Sequence, residues 1–222
     1  MTPTFTSALR VAIIGATGKV SRELITLLRD RGDEAVAIFR NAEKTEELVA
    51  LGALPAVLDI ETATQAELAE LLAGADVVVF SAGAGGGDPA RTMAVDFDGA
   101  VLAMAAASTA GVTRFIMVSA MGAGGEVPTE GDMATYYRAK HDADVALMGT
   151  SLDWTILRPG GLTDDAATGL VTLGDTVDRG SVSRADVAAM IVAVIDDPST
   201  IRHAWEFTAG AVSISDAVSS MR

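Results

Sequence analysis

The chain has 222 residues, half of them hydrophobic and only 5% aromatic, which suits one domain with a core of Ala, Val, Leu and Ile. A formal net charge of −14 repels phosphate backbones and anionic bilayers, so nucleic-acid binding and membrane docking are excluded and any phosphate-bearing ligand must be held by local features. There is no cysteine, and the two histidines, His141 and His203, are far apart, which excludes disulfides, thiolate catalysis and a metal site of ordinary ligand spacing.

Residues 1–10 are polar, and the apolar run 11–14 is too short for a signal segment or a membrane span, so a cytoplasmic protein is expected. Downstream, apolar runs alternate with helix-period segments. A strand is predicted over 9–14, then a helix over 18–31 with Val20, Leu24, Leu27 and Leu28 on one face. A strand over 34–39, a short helix over 42–51 closed by Gly52, and a strand over 54–58 follow. A helix over 65–73 ends at Gly74, and 76–80 reads as a buried strand. After a glycine-rich loop, 81–88, comes an Ala-rich helix over 93–110 stopped by Gly111. Next are a strand over 114–118, a loop over 120–132, a helix over 134–148 and a strand over 153–157. The stretch to Arg179 reads as loose, with one short hairpin. A helix over 184–195 stops near Pro198, and a strand over 203–207 precedes a short helix after Ser213. Repeated β-α units with short right-handed connections specify the α/β class: a Rossmann-type, doubly wound parallel sheet in a single domain spanning 1–222, with a short substrate-side segment over about 158–222.

The sharpest signal is Gly15-Ala16-Thr17-Gly18-Lys19-Val20-Ser21, placed between the first strand and the first helix. Small residues let a pyrophosphate approach the backbone, and the helix start offers free N–H groups with a partial positive charge. Ser21 stands where a third glycine is usual and is small enough for close helix–strand packing. The alternative is an ordinary βα turn. At the end of the second strand, Phe39-Arg40-Asn41 offers a cation where an acid would meet a ribose 2′-hydroxyl, which favours NADP(H) over NAD(H). The alternative for Arg40 is a solvated surface arginine. Asp59, followed by Ile60, ends the third strand and is read either as an acceptor for the adenine amino group or as a turn cap. Ser81, Ala82 and Gly83 leave room for a nucleotide across the sheet edge, and the run 85–87 reads as a flexible loop.

Tyr136 and Lys140 stand at i and i+4 of a predicted helix, on one face. An ammonium beside a phenol lowers its pKa from ~10, which suits Tyr136 as proton donor to a carbonyl that receives hydride. Ser119 ends the fifth strand, where its hydroxyl can orient the same carbonyl; Tyr137 is the rival phenol at the wrong spacing from Lys140. The competing reading of Tyr136 and Lys140 is an exposed helical pair. His141 is expected on a solvated face, and Asp164, Asp165, Asp175 and Asp178 on a solvated loop. Arg158-Pro159-Gly160-Gly161 either shapes the nicotinamide pocket or breaks the strand.

Taken together, VAIIGATGKV at 11–20, IFRN at 38–41, DVVVFSAG at 76–83, GVTRFIMVSAMGA at 111–123, YYRAK at 136–140 and LDWTILRPGGL at 152–162 make the chain resemble the atypical short-chain dehydrogenase/reductases, in the NAD(P)H-binding NmrA-like and flavin/biliverdin-reductase-like groups. The resemblance implies cofactor contacts at Gly15, Ala16, Thr17, Gly18, Lys19, Val20, Arg40, Asp59, Ile60, Ser81, Ala82, Gly83 and Lys140, and catalytic positions at Ser119, Tyr136 and Lys140. The expected function is an NADP(H)-dependent oxidoreductase that reduces a small carbonyl, quinone or flavin-like acceptor, as a monomer or homodimer. Two alternatives are a non-catalytic NADP(H)-binding redox sensor and an NAD-dependent sugar epimerase or dehydratase. The last usually carries a larger C-terminal substrate domain than residues 159–222 provide.

Overall fold

The computed structural model describes residues 8–85, 88–131 and 133–221, and carries the alternation in the expected order. Gly86, Gly87 and Asp132, parts of the two predicted loops, lie outside the described residues, as do residues 1–7. Strand β1 (Arg10–Ile14), helix α1 (Lys19–Arg31) and strand β2 (Glu34–Phe39) open the chain. A 3₁₀ turn (Ala42–Lys44) leads into α2 (Thr45–Ala50), followed by β3 (Leu54–Val57), α3 (Gln65–Leu72) and β4 (Val77–Phe80). The next helix begins earlier than its apolar pattern predicts. Its parts are α4 (Pro89–Thr92), a π-helical segment (Met93–Asp98) and α5 (Gly99–Ala110). Asp88 caps it by accepting from the Ala90 N–H, and Pro89 takes the first turn, where its missing N–H costs nothing. Then come β5 (Arg114–Val118), α6 (Ala134–Met148), β6 (Asp153–Pro159), β7 (Gly161–Thr163), β8 (Leu170–Gly174), β9 (Ser181–Ser183), α7 (Arg184–Asp196), β10 (His203–Ala209), β11 (Val212–Ser213) and α8 (Ile214–Ser220).

One nine-stranded sheet has the order β11-β8-β10-β6-β5-β4-β1-β2-β3. From β3 across to β10 neighbouring strands are parallel, which is the Rossmann-like, doubly wound arrangement. At one edge β8 runs antiparallel to both β10 and β11. One expectation is corrected. The predicted hairpin before Arg179 is absent: β7 pairs instead with β9, in parallel, as a separate two-stranded sheet. Strand β6 outlasts its predicted end because β10 pairs with it as far as Pro159, opposite Phe207.

Alternation along the strands feeds two cores. Val11 and Ile13 point into one, with Leu24 and Ile25 of α1 and Ile191 and Val194 of α7. Ala12 and Ile14 point into the other, with Leu72 of α3, Met104 of α5 and Leu147 of α6. The helix Pro89–Ala110 is long and apolar enough to cross a bilayer by composition, yet Ala103, Ala106 and Ala107 are fully buried in the second core. Chain order reverses between β1 and β4, which opens a crevice at the carboxyl ends of these strands.

One carboxylate ties the chain entering β8 to the start of α7. Asp186, 1% exposed near the start of α7, accepts from the N–H groups of Thr168 and Gly169 and from the hydroxyls of Thr168 and Ser183. Burial pushes its carboxyl up, but these donors together outweigh it and hold the pKa below its usual 3.8. A carboxyl depressed on folding stabilises above its unfolded value and loses that stabilisation as pH falls through the folded one. Asp186→Asn is therefore expected to cost roughly 1–3 kcal/mol at neutral pH. In urea titrations, the gap to the unsubstituted protein narrows as pH falls below 3.8; a gap independent of pH would contradict the carboxylate's role.

Candidate functional site

The glycine turn sits at the crevice. Gly15 has φ +88°, and a Cβ there would lie 2.6 Å from Ala82 Cα, so only glycine fits between β1 and the chain leaving β4. The N–H groups of Gly15 and Ala16 both donate to the Ile38 carbonyl, and Gly18 N–H closes the turn on Gly15 O at 3.0 Å. Gly18 is the N-cap of α1, and no capping side chain is bonded there among the described residues. The first helical N–H groups thus face the cleft with the positive end of the helix dipole, a ready anion site. Ser21, fully buried, donates to Gly15 O at 3.0 Å. The residue in place of the third glycine therefore braces the turn.

Three adjoining cavities run along the carboxyl edge of the sheet. The first, about 240 Å³, is lined by Gly15, Thr17, Phe39, Arg40, Asp59 and Ile60. The second, about 470 Å³, is lined by Lys19, Val20, Asp96, Lys140 and Arg184 among others. They share Gly18, Ser81, Ala82 and Gly83. The third, about 320 Å³, is lined by Met121, Gly122, Tyr137, Pro159, Gly160 and Arg179 and shares Ser119, Tyr136 and Leu162 with the second. Of the residues expected to contact the cofactor or to act in catalysis, Ala16 alone lines none of these cavities. Its side chain is fully buried under the turn, in the first core. Asp59 lines the first cavity and also caps its own turn, accepting from the Glu61 N–H at 3.1 Å. Arg40 is half exposed, and its Nη1 lies 2.6 Å from Glu61 Oε1.

Helix α6 brings the polar cluster together. Tyr136, Lys140 and Asp144 recur every fourth residue and share its inward face with Ala139, Ala143 and Leu147. Lys140 is 5% exposed; its Nζ lies 3.0 Å from Asp96 Oδ1 and donates to the Val118 carbonyl at 3.3 Å. The Val118 carbonyl takes one of the ammonium's three donors, and the ion pair with Asp96 answers its charge at the wall of the second cavity. Asp96 comes from the π-helical segment and also accepts from the Ala84 N–H at 2.9 Å, fixing the loop after β4. Behind Ser119, Arg158 Nε is 2.8 Å from Asp144 Oδ2, both side chains buried. Burial pushes the Asp144 carboxyl up, against the opposing pull of Arg158. Arg158 thus neither lines the cleft nor breaks the strand, while Pro159, Gly160 and Gly161 form the wall of the third cavity.

The Tyr136 phenol departs from expectation. Its pKa is raised above 10.0, because burial outweighs the lowering by Lys140, and Asp96 and Asp144 add to the rise. Lys140 Nζ stands 6.0 Å from the ring centroid and is held by Asp96, so its charge is largely answered before it reaches the phenol. His141 also differs: it is partly buried, with Nδ1 2.8 Å from the Ala123 carbonyl, and tethers the loop after β5. Asp164 is exposed as expected, but it pairs with both Lys19 and Arg184 across the mouth of the second cavity. Asp96, Glu61 and Asp144 were not singled out from the sequence. For Asp144 the signal was the same i, i+4 spacing that links Tyr136 to Lys140. For Asp96 it was a carboxylate set among apolar residues (Ala94, Val95, Phe97) of a helix, a group that must be paired when buried.

A family model described as NAD(P)H-binding matches residues 15–198. The chain is 37% identical over 215 residues to an uncharacterized sugar epimerase, YhfK, of Bacillus subtilis, covering 96% of this chain and 100% of that one. The structure of a proposed NAD-dependent epimerase/dehydratase from Bacillus halodurans superposes with a TM-score of 0.89 at 35% identity, over 96% of this chain and 100% of that one. The oxidoreductase ylbE of Lactococcus lactis superposes with a TM-score of 0.85 at 30% identity, over 96% of each chain.

The buried pair of Lys140 and Asp96 makes a stability difference that can be measured. Asp96→Ala leaves the nearly buried Lys140 charge without its counter-ion and is expected to cost about 3 kcal/mol. Asp164→Ala, which opens an exposed pair, is expected to leave the urea midpoint almost unchanged. Equal losses for the two variants would contradict the burial of the first pair.

Proposed function

The chain belongs to the NAD(P)H-binding family, and on that premise we propose that it is an atypical short-chain dehydrogenase/reductase, an NADP(H)-dependent oxidoreductase acting on a small carbonyl, quinone or flavin-like acceptor. One observation carries the reading: a continuous trough joins the phosphate-binding turn at Gly15–Gly18 to Tyr136 and Ser119 through shared walls. The residues present suit a dinucleotide. Gly15 packs on the Ala82 backbone with no room for a Cβ and so sets the turn, the opening N–H groups of α1 receive the pyrophosphate, and Arg40 stands at the adenosine end. Asp59, Ile60 and Ser81 to Gly83 line the nucleotide side, and Lys140 lines the second cavity, where its ammonium is available to a ribose hydroxyl.

A bound nicotinamide supplies the hydride. The chain's own residues manage the proton and the acceptor. Tyr136 keeps its proton on Oη through neutral pH, since burial raises its pKa, and releases it to the acceptor oxygen as charge develops there. Ser119, 5% exposed and on the wall common to two cavities, orients that oxygen. Lys140, steadied by Asp96, holds its positive charge beneath both. The segment from about 158 to 222 contributes the substrate side, through Pro159, Gly160, Gly161, Leu162, Arg179 and Gly180.

A second reading, an epimerase or dehydratase that retains its cofactor, is favoured by the likeness to the Bacillus halodurans protein. The two differ in net redox change. NADPH oxidation that requires an added quinone, flavin or ketone supports the reductase; interconversion of a sugar substrate without net cofactor consumption supports the epimerase.

Tyr136→Phe is expected to lower acceptor reduction about 10²–10⁴-fold with cofactor affinity retained. Turnover unchanged in this variant would show that the phenol is not the acid. With the pKa raised, the reductive rate is expected to stay level through neutral pH and to fall only above the ordinary phenol value of 10.0. A fall already complete by pH 8 would contradict the assignment.

A further inference from the structure

The adenosine-end cavity holds more charge than one selecting arginine. Arg40 extends from the end of β2 and Arg91 from α4, and both guanidiniums converge on a single oxygen, Glu61 Oε1. Arg40 Nη1 lies 2.6 Å from it and Arg91 Nε 3.1 Å. All three residues line the cavity of about 240 Å³ that also contains Gly15 and Asp59. Arg91 does not depend on Glu61 for its position, because its Nη1 also donates to the Ala84 carbonyl. Glu61 is steadied in turn through its backbone N–H, bonded to Asp59 Oδ1. Two guanidiniums forked around one anionic oxygen reproduce the donor set that a phosphate requires. Partly exposed pairs of this kind add little to stability, so their meaning lies in what they offer a ligand.

We propose that Arg91 is the second cation of the 2′-phosphate site and that Glu61 sets the choice between NADP(H) and NAD(H). The proposal rests on the dinucleotide reading above and deepens it. A 2′-phosphate takes both guanidiniums only by displacing Glu61, and then lies beside its negative charge. A 2′-hydroxyl donates to the Glu61 carboxylate and leaves both ion pairs intact. The two arginines and the carboxylate therefore act in opposite directions on one ratio.

Calorimetric titration of the unsubstituted protein, Glu61→Gln and Arg91→Gln with NADPH and with NADH tests this, with thermal melts confirming that each variant is folded. The ratio of the NADH to the NADPH dissociation constant is expected to rise about tenfold in Glu61→Gln and to fall about tenfold in Arg91→Gln. Glu61→Ala is expected to move the ratio in the same direction as Glu61→Gln. A ratio that stays fixed, or moves the opposite way, overturns the proposal; movement in only one of the two positions overturns the part assigned to the other. If the unsubstituted protein binds neither nucleotide, the dinucleotide reading itself fails and this proposal fails with it. If it binds both and the variants leave the ratio unmoved, the proposal alone fails.

Discussion

At the junction of β1 and β4 the backbone of Gly15 lies against Ala82 with no room for a side chain, and the rest of the site is arranged around that contact. Because the two strands meet so closely where chain order reverses, α1 begins at the rim of the crevice with its opening N–H groups uncapped and Ser21 bracing the turn from below. In a chain carrying a net charge of −14, the overall field opposes any phosphate. The local donors of one helix terminus and a few basic side chains must overcome it, which is why their placement matters more than their number.

The second constraint is buried charge. Lys140 with Asp96, and Arg158 with Asp144, are nearly buried ion pairs beside Ser119 and Tyr136. Charges in such a place are tolerated only when paired, and the pairing fixes where each can point. Asp96 and Asp144 thereby position Lys140 and Arg158, and Asp96 also steadies the loop after β4 through Ala84. The same carboxylates work with burial to keep the Tyr136 phenol protonated. The cluster is therefore suited to holding and donating a proton.

Much of this was legible in the sequence, because strand periodicity, a glycine turn between strand and helix, and an i, i+4 pair are local patterns. The seven principal strands and their helices followed from alternation alone. What was not legible depended on partners distant in the chain. The antiparallel β8 and the β7–β9 pair have short, weakly patterned sequences whose pairing is decided by β10 and by each other. The net direction of the Tyr136 shift depends on burial and on Asp96, forty residues upstream by number, neither of which the spacing to Lys140 reveals. Arg40 could be read as a cation at the right place, but its pairing with Glu61 arises only when the ends of β2 and β3 lie side by side.

The central claim, that the opening amides of α1 receive the pyrophosphate of a nicotinamide dinucleotide, is tested most directly by amide-resolved NMR during titration with NADPH. The largest shifts are expected on Gly15 and on Thr17 to Val20, with a second set at Arg40 and Asp59. Shifts confined to the wall formed by Gly122, Gly160 and Gly180, or an unchanged spectrum at saturating nucleotide, would contradict it.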